Sequence, residues 1–133
     1  MKIALVQSSL VWGDIEKNLA LFDRKLAGIG ACDVILLPEM FTSGSMLVKP
    51  DKRVADAEKN KTAACYERVR RLMSEWAEKR DALVMGSTVY NEGESYYNRM
   101  IVVFPDGKNL YYDKRHCFRM GGENEHFTAG RRH

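Results

Sequence analysis

The sequence predicts an α/β fold built on a mixed sheet, and three observations carry the prediction. Short runs rich in Val, Ile and Leu alternate with charged stretches whose apolar residues recur at helical spacing. The order from the N-terminus is strand, helix, strand, helix, strand, which implies parallel pairing of the early strands. The last two runs are joined by Pro105-Asp106-Gly107, a hairpin turn, so the later strands pair antiparallel. With 133 residues, 45% of them hydrophobic, the chain suits one domain spanning 1–133.

The first strand is expected over residues 2–7, where Ile3, Leu5 and Val6 precede polar Gln7, Ser8 and Ser9, a pattern that suits a buried strand. Asp14 then caps a helix whose Ile15, Leu19, Phe22 and Leu26 share a face, with Gly28 and Gly30 as its stop. Val34, Ile35, Leu36 and Leu37 form an unbroken apolar run, as in a strand covered on both faces. Pro38 closes that run, so Glu39 projects just past the strand's C-terminal end. Residues 41–60 show no clear period and read as a loop with at most a short irregular helix, placed to cover a site. Cys65, Val69, Leu72 and Trp76 then mark a second amphipathic helix with Thr62 as its N-cap. Strands are expected at 83–87, 99–104 and 109–112. Residues 114–127 have no period, contain Gly121-Gly122 and carry dense polar groups, which reads as a functional loop. The sequence stops at Arg131-Arg132-His133 with no element closing the fold, which reads as a truncation.

Composition excludes several classes. Lys and Arg number 21 against 18 Asp and Glu, a formal charge of +3, and Glu123 and Glu125 interrupt the basic C-terminal stretch, so no nucleic-acid partner is expected. No run has the length of a signal peptide or a membrane span, and the three cysteines Cys32, Cys65 and Cys117 lack C-x-x-C spacing; together these suggest a cytoplasmic protein with reduced thiols. His116, Cys117, His126 and His133 match no zinc spacing, and neither a metal nor a cofactor is expected. Phe104, Tyr96, Tyr97, Tyr111 and Tyr112 are assigned to the core or to an interface.

Two charged residues follow expected strands directly: Glu39 and Lys114. Ligands of open α/β sheets gather beyond the carboxyl ends of strands, where a carboxylate can accept a proton and an ammonium can stabilise an oxyanion. On spacing alone, a structural ion pair or two solvated charges is the more frequent arrangement.

The segments Leu36-Leu37-Pro38-Glu39-Met40-Phe41 and Tyr112-Asp113-Lys114-Arg115-His116-Cys117-Phe118 resemble two active-site segments of the nitrilase, or carbon-nitrogen hydrolase, superfamily. Lys2-Ile3-Ala4-Leu5-Val6-Gln7 is similar to its first strand, and the stretch 118–130 most resembles the omega-amidase branch, which acts on 2-oxo acid amides. The resemblance implies the N-terminal part of a four-layer α-β-β-α sandwich, with one side of the sheet left apolar and open. It implies Glu39 as general base, desolvated, Lys114 as the residue stabilising the tetrahedral intermediate, and Glu123 as a second carboxylate, with Glu125 as fallback. It also implies a small-molecule amide substrate and a homodimer. The family's nucleophilic cysteine would lie beyond residue 133, so this chain alone is expected to be inactive. Cys117 is expected to be a small apolar filler and Cys65 a buried, unreactive thiol. Arg119 is a candidate binder of a substrate carboxylate, although a solvated charged surface explains such residues more often. The competing reading is a truncated or degenerate relative that binds a partner without catalysis.

Overall fold

The structure is a computed structural model that describes residues 1–45 and 51–131. Strands β1 (Ile3–Leu5), β2 (Val34–Leu36), β3 (Leu83–Glu92), β4 (Ser95–Val103) and β5 (Asn109–Asp113) form one sheet in the order β1-β2-β3-β4-β5. Helix α1 (Ile15–Ala27) joins β1 to β2, while α2 (Lys52–Ala64) and α3 (Tyr66–Arg80) join β2 to β3. A 3-10 turn (Arg119–Gly121) and the short helix α4 (Glu123–His126) follow β5. β1, β2 and β3 run parallel and β3, β4 and β5 antiparallel, the expected mixed sheet.

Helix α1 begins where the sequence places it: the Asp14 carboxylate accepts the Lys17 N–H, and Ile15, Leu19, Phe22 and Leu26 are buried. They pack with Val69, Met73, Trp76 and Ala77 of α3 against Ile35, Val84, Ile101 and Val103. Those strand residues share one face of the sheet because side chains alternate along a strand. Each fully buried Phe, Leu or Val contributes roughly 1.5–3 kcal/mol. Phe41 sits at the centre of this core, its ring edge-on to Phe22 at 5.5 Å between centroids. Gly86 makes room for it, since a Cβ there would stand 2.8 Å from the Phe41 ring.

The opposite face divides in two. Leu5, Leu36, Met85, Val102 and Leu110 align in one row across all five strands, and this row stays open, with Leu5 71% and Leu110 51% exposed. Farther along β3 and β4 the same face is closed over by a small cluster in which Ala63 of α2 and Cys117 pack against Met40, Val89 and Phe127. The open row corrects two expectations. β1 is an exposed edge strand and not a buried one, and β2 is covered on one face only, because no second layer of described residues lies over these strands.

Three further expectations are overturned. Residues 52–64 are a regular helix capped by Asp51, not a loop; their buried stripe of Ala55, Lys59 and Thr62 is two-thirds polar and gives no hydrophobic period. The part of the expected loop at 46–50 lies outside the described residues. Thr62 is not an N-cap: it is buried inside α2, its hydroxyl donating to the Glu58 carbonyl, and α3 starts after Cys65, which is half-buried at the junction. β3 is twice and β4 one and a half times its expected length, and they meet at a tight turn where Gly93 has φ +62. Polar Thr88, Asn91 and Asn98, all outside the expected bounds, disguised the rest of these strands. Arg99 is buried with its guanidinium paired to both Asp113 oxygens at 2.6 and 2.8 Å, and it stacks 3.4 Å from the Tyr90 ring centre and 3.9 Å from that of Tyr111. Tyr111 and Tyr112 are themselves exposed and lie outside the core. Among the described residues no helix is long and apolar enough to cross a membrane.

Candidate active site

The segment after β2 leaves the sheet at Leu37, whose N–H still donates to the Met85 carbonyl, and Pro38 ends the pairing. Two residues on, Met40 adopts φ +52, a left-handed conformation that costs a non-glycine residue about 1 kcal/mol or more. The turn is held because Met40 N–H donates to Ser87 Oγ at 2.9 Å and the Met40 carbonyl accepts from Gly44 N–H at 2.8 Å. Glu39 is thereby turned towards the open face, beside β4.

Lys114 is the first residue past β5. Its N–H donates to the Asn98 carbonyl at 2.9 Å and its own carbonyl accepts from Gly130 N–H at 3.0 Å. The returning segment approaches so closely that a Cβ on Gly130 would stand 2.1 Å from the Asp113 carbonyl oxygen, so only glycine fits. This closure folds the 114–130 loop over the sheet and buries Glu123, which is 3% exposed, against it.

The result is a ring of four side chains. Lys114 Nζ lies 2.9 Å from Glu39 Oε1 and 2.9 Å from Glu123 Oε2. Asn98 Nδ2 donates to Glu39 Oε1 at 2.8 Å and to Glu123 Oε1 at 3.2 Å, and the Phe118 N–H donates to Glu123 Oε2 at 2.5 Å. All three residues expected to form the site meet, from three separate elements. Glu125, the alternative second carboxylate, is exposed.

The electrostatics separate the roles these groups can take. Burial pushes the Glu123 carboxyl up, but the Phe118 amide, Lys114 and Asn98 outweigh it and hold the group below the ordinary carboxylate range. Burial alone would lower Lys114, yet its hydrogen bonds to Glu123 and Glu39 raise it above the ordinary lysine value, so it stays an ammonium. The Cys117 thiol is pushed up by burial and by the Glu123 charge, which keeps it protonated and a poor nucleophile. One expectation is corrected here: the Glu39 side chain is 61% exposed, not desolvated, because it stands at the edge of the open sheet face.

A cavity of about 700 Å³ opens in front of the ring, with Met40, Phe118 and Phe127 as apolar walls and His116 and Arg119 on its polar side. Arg119 is exposed, as is Met120 next to it. Among the described residues no group of three His, Cys, Asp or Glu side chains could hold a metal ion; His133 lies outside them. The residue that sequence reasoning missed is Asn98. Asn is disfavoured in strands, and its place between Tyr96-Tyr97 and the Met100–Val103 run of strand formers was the available signal.

The carbon-nitrogen hydrolase family model matches residues 2–133. The chain belongs to the carbon-nitrogen hydrolase family. It is 40% identical over 131 residues to omega-amidase YafV of Yersinia enterocolitica, a match covering 98% of this chain and 47% of that protein. Omega-amidase YafV of Escherichia coli K12 is likewise 40% identical, over 130 residues, with the same coverage. A crystal structure of a CN-hydrolase superfamily protein from Xanthomonas campestris superposes with a TM-score of 0.85 at 31% identity, covering 99% of this chain and 47% of that one. A carbon-nitrogen hydrolase from Helicobacter pylori shares the fold at a TM-score of 0.79 and 18% identity, over 98% of this chain and 45% of that one. This carbon-nitrogen hydrolase chain therefore spans about half the length of the relatives it matches, and those curated relatives are amidases.

Proposed function

We propose that this chain supplies the general base and the oxyanion-stabilising cation of an amidase site that cleaves a small linear amide, namely the omega-amide of a 2-oxo acid. The observation that carries the reading is the Lys114 ammonium held 2.9 Å from each of two carboxylates, Glu39 and Glu123, at the mouth of a substrate-sized cavity. A cation so held is fixed in place before the substrate arrives, which is what stabilising a developing oxyanion requires.

The nucleophile in this scheme is a cysteine contributed by a segment outside this sequence, since Cys117 is kept protonated and Cys32 and Cys65 pack beside the α1 and α3 core. Glu39 takes the thiol proton, the thiolate attacks the amide carbon, and Lys114 stabilises the negative oxygen. Protonated Glu39 returns its proton to the departing nitrogen, ammonia leaves and a thioester remains. Glu39 then deprotonates a water that attacks the thioester, releasing the acid and restoring the thiol. Glu123 fixes Lys114, and Arg119 at the cavity pairs with the substrate carboxylate. The apolar row Leu5, Leu36, Met85, Val102 and Leu110 supports a second layer packing here in the longer protein, which would also desolvate Glu39. The wider reading is a single domain, argued from length, in a cytoplasmic setting, argued from cysteine usage and the apolar runs, and a homodimer, which rests on the family resemblance.

The test is turnover of a 2-oxo acid omega-amide by the full-length protein, where Glu39→Gln is expected to lower kcat by about a thousandfold or more. Full turnover in that variant removes Glu39 from its role. A second reading, a non-catalytic binding module, is favoured for this chain in isolation by the 61% exposure of the Glu39 side chain and the protonated Cys117.

A further inference from the structure

We propose that Asn98 is the positioning residue of this site, its side-chain amide holding Glu39 and Glu123 in one fixed relation around the Lys114 ammonium. The inference rests on the reading of Glu39 as the base and adds to it the group that aims that base.

Asn98 is 4% exposed and lies in the middle of β4, paired with Val89 in a nine-pair ladder. A buried amide in a strand is costly unless its hydrogens are used, and both of them are, one on each carboxylate at 2.8 and 3.2 Å. Ionised carboxylates only accept, so the nitrogen of this amide must face them; the chemistry fixes the orientation of the side chain. The backbone carbonyl of the same residue accepts the Lys114 N–H at 2.9 Å. One residue on a rigid strand thus touches all three members of the charged group.

The amide does what the ammonium cannot. Lys114 is a point charge on a flexible stem, which sets a distance to each carboxylate but not a direction. The planar amide adds direction, and this matters most for Glu39, whose side chain is 61% exposed and has little packing to hold it. It also adds no charge. A second cation at this position would stabilise the Glu39 anion further and make it a weaker base, whereas Asn98 supplies two donors and leaves the ring with two negative charges and one positive. With both hydrogens committed, Asn98 has none left for a substrate, which separates positioning from binding.

The experiment uses the full-length protein and the variants Asn98→Asp, Asn98→Leu and Asn98→Ser, each checked for folding by thermal melting, with Glu39→Gln alongside. In the nearly isosteric Asn98→Asp variant a third carboxylate meets the other two. For it we expect kcat to fall about 30-fold with KM within about threefold, and the acid limb of kcat/KM to move up by about one pH unit. Asn98→Leu should lose a similar factor, and Asn98→Ser, which keeps one donor, should fall between. Unchanged kcat and acid limb in any folded Asp or Leu variant, or a loss confined to KM, overturns the proposal. A readout free of turnover is the carbon-13 titration of the Glu123 carboxyl, expected to shift upward in Asn98→Ser and Asn98→Leu; no shift overturns the proposal even if the other variants fail to fold. Should the wild-type protein lack amidase activity, or Glu39→Gln keep it, the reading of Glu39 falls, while the Glu123 titration still decides the role of Asn98.

Discussion

Lys114 and Glu123 form an ion pair at 2.9 Å in which the carboxylate is 4% exposed and the ammonium 31%. The pair joins the end of β5 to a helix of one turn, α4, and so ties the 114–130 loop to the sheet. Because one partner is buried, its loss leaves polar groups stranded, unlike the loss of a surface pair.

Glu123→Ala should destabilise the protein by about 2 kcal/mol at neutral pH, since the Phe118 N–H and the Asn98 amide lose an acceptor in a dry place. The Glu123 carboxyl is held below its ordinary value of 4.5, so its contribution is complete above that pH and fades as pH falls through the lower folded value. Lys114 is raised, so its share is complete below 10.5 and is lost as pH climbs through the higher folded value. Urea unfolding of wild type and variant from pH 3 to 8 checks this; a gap that stays constant down to pH 3 contradicts it.

Gly130→Ala should cost about 1–3 kcal/mol, because the added methyl meets the Asp113 carbonyl oxygen at 2.1 Å and the backbone must move. The displaced loop should also loosen Glu123, seen as faster amide hydrogen exchange at Phe118. Wild-type stability and exchange in this variant would show that the loop closes by another route.

Arg99→Lys keeps the charge but loses the paired contact to Asp113 and the stacking between Tyr90 and Tyr111. A loss of about 2 kcal/mol is expected in chemical denaturation. A change below about 0.5 kcal/mol, the range of ordinary surface substitutions, would place Arg99 among them.

Cys117 should react slowly with iodoacetamide at pH 7, and its rate should climb only above pH 9, the ordinary thiol value that burial and Glu123 push it beyond. Alkylation of the native protein is compared with that of the urea-unfolded chain. Equal rates at neutral pH would show that neither burial nor Glu123 suppresses the Cys117 thiolate, and a faster native rate would mark it as an activated thiol.

How far the sequence could be read depended on which residues filled each element. Helix α1 was legible to its cap because a strong N-cap, Asp14, stands before four large apolar residues at helical spacing. The parallel-then-antiparallel sheet followed from element order and from one turn motif. Helix α2 was illegible because it buries Lys59 and Thr62, which a hydrophobic count places outside. β3 and β4 were cut short because Thr88 and Asn98 are buried through hydrogen bonds whose partners are remote in sequence.

By itself the sequence determined the α/β class, the order of the strands, and the presence of Glu39, Lys114 and Glu123 at strand ends and in a loop, since these depend on local periodicity and on short motifs. Only the tertiary structure decided that the three charges converge, that Asn98 bridges two of them, and that Glu39 stands open to solvent. Those outcomes depend on contacts between residues 25 to 75 positions apart, which no local pattern encodes.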